Sequence, residues 1–194
     1  LEVFRKYDSR FFFYNGGNDS MATCNKISKY MEEKGYECNV IGVPKTIDND
    51  LYGTDHCPGF ASAAKYISTT VMECNLDAKV YNFGLVCIIE VMGRNAGWLA
   101  ASAALADHTG LGADLIYLPE MPFSVDKFVQ DVFNVCERNE GKCIAVVAEG
   151  LKDAEGHYIG DFKPGKHDHF GHAALGGLAT ILAGIVKERL GVKV

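Results

Sequence analysis

Cys38-Asn39-Val40-Ile41-Gly42-Val43 is a short, mostly apolar run, followed at once by Pro44-Lys45-Thr46-Ile47-Asp48-Asn49-Asp50. The first stretch reads as a strand. The second crowds two carboxylates, an amide, a hydroxyl and an ammonium into seven residues. Packing avoids such polar density at the end of a buried element, whereas chemistry needs it. Three readings compete. An Asx-type turn uses the same residues. A calcium loop fails, because Asp48, Asp50 and Gly53 match positions one, three and six but Tyr52 stands at five and Gly59 at twelve. The third is a strand end where Asp48 serves as a general base beside a bound anion.

The pattern of strand, polar cluster and helix repeats along the chain. Residues 10–14 read as a strand, broken by Asn15-Gly16-Gly17-Asn18-Asp19-Ser20. A helix is predicted over 21–33, with Met21, Cys24, Ile27, Ser28 and Met31 on one face and Gly35 at its C-terminal cap. Another is predicted over 60–74, with Ala64, Ile67, Val71 and Cys74 in line. The apolar run at 85–91 reads as a strand covered on both faces and ends in Met92-Gly93-Arg94-Asn95. Residues 96–106, rich in Ala and Leu, read as helical. A fourth strand over 114–118 ends in Pro119-Glu120-Met121-Pro122. Ser124 caps a helix whose stripe is Val125, Phe128, Val129, Val132, Phe133 and Cys136. A fifth strand over 142–148 ends in Glu149-Gly150; a polar loop over about 151–171 and a final helix over about 172–190 follow. This alternation predicts an α/β fold with parallel strands and helices on both faces, where ligands bind at the strands' carboxyl ends. All five polar clusters fall on that edge.

Of the 194 residues 48% are hydrophobic and 23% charged, an ordinary globular composition. The formal charge of −6 supplies no field for a nucleic-acid backbone, but it leaves a phosphate substrate open, because local cations and helix N-termini can hold one. Seven cysteines without a CxxC pair read as reduced thiols, so a cytoplasmic compartment is expected. No membrane-spanning run or signal peptide is visible in the sequence. Residue 1 is Leu and the chain starts almost inside a strand, which reads as a piece of a longer protein.

Individual motifs have competing readings. Gly16-Gly17-Asn18-Asp19-Ser20 is a phosphate cradle or a tight turn capped by Asp19 or Ser20. An Asp in a cradle repels phosphate unless Mg2+ intervenes or exclusion is its purpose. Arg94 suits bidentate phosphate binding; as a surface Arg it would sit unfavourably at a helix start. Glu149 fits a sugar-hydroxyl acceptor as well as a capping carboxylate. Residues 160–166 match a P-loop's spacing, but His167 follows where Ser or Thr is needed and no strand precedes. His167, His169 and His172 lack a nearby Cys and read as loop and capping residues rather than a zinc site.

Together these residues resemble the phosphofructokinase family. GGNDS (16–20), PKTIDND (44–50), CPGFASAAKYI (57–67), EVMGRNAGWLAA (90–101), ADLIYLPE (113–120), VVAEG (146–150) and FGHAALGG (170–177) fall in the family's order and spacing. The resemblance implies two α/β domains around an active-site cleft: residues 1–59 ending the donor-binding domain, and 60–194 forming most of the fructose 6-phosphate-binding domain. Asp48 would be the catalytic base that takes the proton of the sugar's C1 hydroxyl, with Lys45 and Arg94 catalytic beside it. Thr46, Ile47, Asp48, Met92, Gly93, Arg94 and Glu149 would bind the sugar phosphate. Gly17, Asp19, Ser20 and Lys45 would bind the donor, and Asn18 with Asp50 would order Mg2+. The implied role is glycolytic, in the cytoplasm, as a homo-oligomer without nucleic-acid or membrane partners.

Donor choice follows from the same resemblance. Asp19 stands where ATP-using bacterial members carry Gly, and would repel a nucleotide α-phosphate. Lys45 stands where pyrophosphate users carry Lys. The pair favours pyrophosphate; an ATP-dependent enzyme and a non-catalytic subunit are the alternatives. Three departures stand out. Asn18 replaces an Asp at a magnesium position and is a weaker ligand for a hard cation. Leu85 stands where many members place a substrate-binding Arg. The family's upstream glycine-rich loop and downstream His- and Arg-bearing loop lie outside this chain.

Overall fold

Among the described residues, the strands, made of alternating or continuous apolar residues, pair in parallel, and helices fill the connections between them. In this computed structural model residues 1–160 and 177–194 are described. The strands are β1 (Phe11–Gly16), β2 (Asn39–Pro44), β3 (Leu85–Val91), β4 (Leu115–Tyr117) and β5 (Lys142–Ala148). They form two parallel sheets: β1 beside β2, and β5 between β3 and β4. The helices are α1 (Glu2–Lys6), α2 (Asn18–Glu33), α3 (Phe60–Lys79), α4 (Trp98–Ala101), α5 (Val125–Arg138) and α6 (Leu178–Leu190), with a 3-10 segment at Ser102–Thr109.

Handedness explains the layering of the larger sheet. The chain passes from β3 across β5 to β4 through α4 and the 3-10 segment, then returns to β5 through α5. Parallel crossovers are right-handed, so opposite directions of travel put their helices on opposite faces. Accordingly α5 packs with α6, while α3 packs with α4 and the 3-10 segment. Between them β5 is nearly all buried, and Phe128, Leu99, Val146, Val147 and Leu182 fill the core.

The smaller sheet is covered on one face by α2. Gly42 has no Cβ where Met21 Sδ lies 2.6 Å from its ideal position, and this close packing seats the helix. The opposite face exposes Phe11 and Phe13 (63% each) together with Ile41 and Val43.

Several boundaries differ from the sequence reading. The N-terminus opens on α1 rather than inside a strand. Helix α2 starts at Asn18, not at 21, with Gly17 as its N-cap; Asp19 and Ser20 lie in its first turn and do not cap it. Gly35 does sit in the left-handed region after α2, and Tyr36 N–H bonds Met31 O at 2.9 Å. Helix α3 runs to Lys79 rather than 74, and β4 is trimmed to Leu115–Tyr117. The helix expected over 96–106 is α for one turn only. Ser102 and Thr109 hydroxyls bond the carbonyls of Leu99 and Ala106, three residues back, which favours the tighter 3-10 winding. Ser124 caps α5 as expected, its Oγ accepting from Lys127 N at 3.3 Å. Within the described residues the final helix starts at Leu178; the residues expected to begin it, the motif over 160–166 past Gly160 and His167, His169 and His172 lie outside them. All seven cysteines are free thiols, and no described helix is long and apolar enough to cross a membrane.

Candidate active site

The polar clusters at the carboxyl ends of the strands converge. Side-by-side pairing of β1 with β2 joins the first two: Lys45 N donates to Gly16 O at 2.8 Å, and Asn18 Nδ2 donates to Asp50 Oδ2 at 2.7 Å. A Cβ on Gly17 would lie 3.6 Å from the Thr46 side chain, so the glycine turn packs on the heptad. Asp19 and Ser20 lie in the first turn of α2, where backbone N–H groups face any anion.

The heptad is itself a built turn. Thr46 Oγ1 accepts from Asp48 N at 3.2 Å. Asn49 is left-handed (φ 57°) and buried; its amide bonds Asp55 O at 3.0 Å and Cys57 N at 2.8 Å. Thus Asn49 satisfies the turn reading and frees the two flanking carboxylates from that duty. Ile47 packs partly buried against the core, with its Cγ2 2.9 Å from where a Gly59 Cβ would be.

Asp48 is half-buried, and its Oδ1 is buried without a hydrogen-bond partner among the described residues. Burial raises its carboxyl pKa above the usual range, the Asp50 charge raises it further, and Arg94 and Lys45 pull it back. These four residues therefore share one electrostatic site across the two sheets.

The turn carrying Arg94 is gripped from β5. Glu149 N bonds Val91 O at 2.9 Å, and Gly93 N bonds Glu149 Oε1 at 3.4 Å. Gly93 has φ 137°, closed to L side chains. Burial raises the Glu149 pKa, opposed by the Gly93 N–H and Arg94, with Asp48 and Glu90 adding to the rise. Met92 is exposed at the same edge. Leu85 opens β3 at the far end of the strand, about 20 Å of extended chain from Val91, so its position does not face this site.

Three positions carry weight that the sequence reading assigned to none of them. Glu120 Oε1 accepts from Gly97 N at 2.7 Å, Gly150 lies directly on the Arg94 backbone, and Glu90 Oε2 accepts from Ala179 N at 2.9 Å in the first turn of α6. Each contact joins residues distant in sequence, which spacing cannot reveal. Asn49 was legible, since Asn is the non-glycine residue best suited to left-handed turns.

The family profile for phosphofructokinase matches residues 1–194. A pyrophosphate–fructose 6-phosphate 1-phosphotransferase of Xanthomonas campestris pv. campestris is 50% identical over 200 residues, covering all of this chain and 47% of the relative. One from Methylococcus capsulatus is 45% identical over 196 residues, covering all of this chain and 46% of the relative. Among solved structures, the pyrophosphate-dependent phosphofructokinase of Nitrosospira multiformis superposes with a TM-score of 0.79 at 39% identity, over 99% of this chain and 45% of that one. The chain spans about half the length of the curated relatives it matches. On its sequence and its parallel α/β architecture, the chain belongs to the phosphofructokinase family.

Proposed function

We propose that this chain forms the core of a pyrophosphate-dependent phosphofructokinase, with residues 1–59 ending the donor-binding domain and 60–194 forming most of the sugar-phosphate domain. The C1 hydroxyl oxygen of fructose 6-phosphate attacks the terminal phosphorus of pyrophosphate. The bridging P–O bond breaks, orthophosphate leaves, and Asp48 takes the hydroxyl proton. The products are fructose 1,6-bisphosphate and phosphate, a glycolytic step carried out in the cytoplasm by a homo-oligomer. The observation that carries this reading is Asp48 Oδ1, a buried carboxylate oxygen without a partner among the described residues, beside Arg94 and Lys45. Leaving such an acceptor unmet costs about 1–3 kcal/mol, which a substrate hydroxyl would relieve.

Lys45 and Arg94 offset charge on the phosphoryl group being moved, and Arg94 with Glu149, Thr46, Met92 and the Gly93 and Ile47 backbone holds the sugar phosphate. Gly17 and Ser20 present the start of α2 to the donor. Asp19 repels a nucleotide α-phosphate, which favours pyrophosphate over ATP.

The donor set fits Mg2+. No cluster of three or more His, Cys, Asp or Glu that could hold a metal exists among the described residues. Mg2+, however, characteristically uses one or two carboxylates with waters and substrate phosphates. Asp50 supplies a hard carboxylate and Asn18 an amide, and their mutual hydrogen bond orients both. When bound, the ion would neutralise donor charge.

Coupled assays of the full-length protein with fructose 6-phosphate test this reading. Turnover with pyrophosphate well above that with ATP supports it, and a clear preference for ATP refutes the donor assignment. The 194-residue chain alone should be inactive; turnover by the purified chain would contradict that.

A further inference from the structure

We propose that Glu120 is a positioning residue for the Arg94 turn, resting on the functional reading above only where activity is measured. Residues 92–97 connect β3 to α4 and carry Arg94. From the β5 side the turn is held at its start by Glu149 on Gly93 N. From the β4 side it is held at its end, where Glu120 Oε1 accepts from Gly97 N at 2.7 Å. The two contacts pin the loop four residues apart, and Arg94 lies between them.

Gly97 makes the second contact available. A Cβ there would come within 2.6 Å of Glu120 Oε2 and 3.0 Å of both Leu118 Cδ2 and Pro119 Cδ. The bare glycine lets the carboxylate lie flat on the backbone. Gly97 also caps α4, so the anion sits where the first N–H groups of that turn are unpaired within the helix. Glu120 lies three residues past the end of β4, behind Leu118 and Pro119, and the pairing of β4 with β5 fixes its origin: Tyr117 lies opposite Val147, two residues before Glu149. Both anchors are thus carried by adjacent strands of one rigid sheet, and loop motion at Arg94 requires breaking one of them. Glu120 itself touches no proposed substrate position; it acts through the turn.

Amide hydrogen exchange and kinetics test this together. Glu120→Ala should speed exchange at Gly97 N–H about tenfold or more in this chain, because a protecting bond is lost. In the full-length protein it should lower kcat/KM for fructose 6-phosphate about tenfold or more, since an ångström of misplacement is felt strongly. Glu120→Gln keeps an acceptor oxygen and should restore most of both. Gly97→Ala should mimic Glu120→Ala, and the double variant should be no worse than either, as expected for two halves of one contact. Unchanged exchange in Glu120→Ala overturns the proposal, as does kcat/KM within threefold of the parent, failure of Gln to rescue, or additive losses in the double variant. A parent protein with no turnover on either donor instead sinks the functional reading, and the exchange arm then decides the role of Glu120 alone.

Discussion

Gly150→Ala should damage the Arg94 turn by an amount that can be worked from distances. An ideal Cβ on Gly150 would overlap the Arg94 carbonyl oxygen, 2.5 Å from its carbon and 2.6 Å from Cα. Carbon atoms in contact settle at about 3.5–4.0 Å. Restoring that separation needs a shift of about 1 Å, and the atoms in the way are backbone, which cannot rotate aside. Gly150 is not left-handed, so the added methyl acts through contact rather than through its own φ. Overpacking of this kind costs about 1–3 kcal/mol, or about 2–12 °C in Tm for a chain this long. A displacement of about 1 Å in a positioning element costs about 100-fold in rate. Gly84→Ala is the matched control. It would place a Cβ 2.7 Å from Gly141 O across the same β3–β5 pair, but at the opposite end. Both variants should lower Tm in thermal melts. Only Gly150→Ala should lower kcat/KM in the full-length protein by far more than its Tm loss explains. Equal activity losses in the two variants, or a Gly150→Ala protein as active as the parent, would refute the reasoning.

Asp48→Asn should lower kcat by about 100- to 10,000-fold, the usual contribution of a general base, with KM for fructose 6-phosphate changed far less; a loss under tenfold in steady-state assays removes Asp48 from that role. Glu149→Gln should make the chain more stable at pH 7. The folded Glu149 pKa is raised, so the native state binds the proton more tightly and stability falls as pH climbs from the ordinary 4.5 through the folded value. The advantage of Gln should vanish below pH 4.5 in denaturant titrations, and an advantage that grows toward acid contradicts the sign. Asp19→Gly combined with Lys45→Gly should shift the pyrophosphate-to-ATP rate ratio toward ATP; an unchanged ratio places donor choice elsewhere. The exposed face of Phe11, Phe13, Ile41 and Val43 should bind an apolar dye in the isolated chain, and Phe11→Ser with Phe13→Ser should weaken that signal. No change in dye fluorescence would mean the face is covered in solution.

Much of the fold was legible because strands here are continuous apolar runs ended by polar clusters. Strands β3 and β5 match their expected bounds to the residue, since each is a nearly unbroken apolar run ended by a polar cluster, β5 nearly all buried and β3 partly so. Misplaced boundaries fall where local preferences conflict with tertiary context. Helix α2 begins on Asn18 because Gly17 lies against the heptad and Lys45 N takes Gly16 O, contacts invisible along the chain. The helix after Arg94 turns 3-10 because Ser102 and Thr109 bond backward, against the helical preference of its alanines. Alternation alone does not say which strands pair, so only the resemblance, with its two α/β domains, pointed to more than one sheet. The sequence pointed to Asp48, Arg94, Lys45 and Glu149 because they stand in polar clusters at strand ends. Glu120 and Gly150 stand in the same clusters, yet their work depends on what lies across the sheet.

The two sheets bring unlike partners to one place. The smaller carries Asp48, Asp50 and Lys45 at the end of β2; the larger carries Arg94 and Glu149 at the ends of β3 and β5. Asp48 is disfavoured as an anion by burial and by Asp50, and is kept in reach of ionisation by Arg94 and Lys45. Those two cations are also the groups a phosphate would engage. Under the proposed function, charge they lend to a bound phosphate is charge withdrawn from Asp48, so filling the site would strengthen the proton affinity of the carboxylate when a hydroxyl proton must be accepted. This coupling depends on the sheets holding their separation. The buried Asn49, bonded to Asp55 and Cys57, ties the heptad to the segment that leads into α3 and hence to the larger sheet. The residue with the least chemistry in the heptad is therefore the one that keeps Asp48 and Arg94 within each other's field.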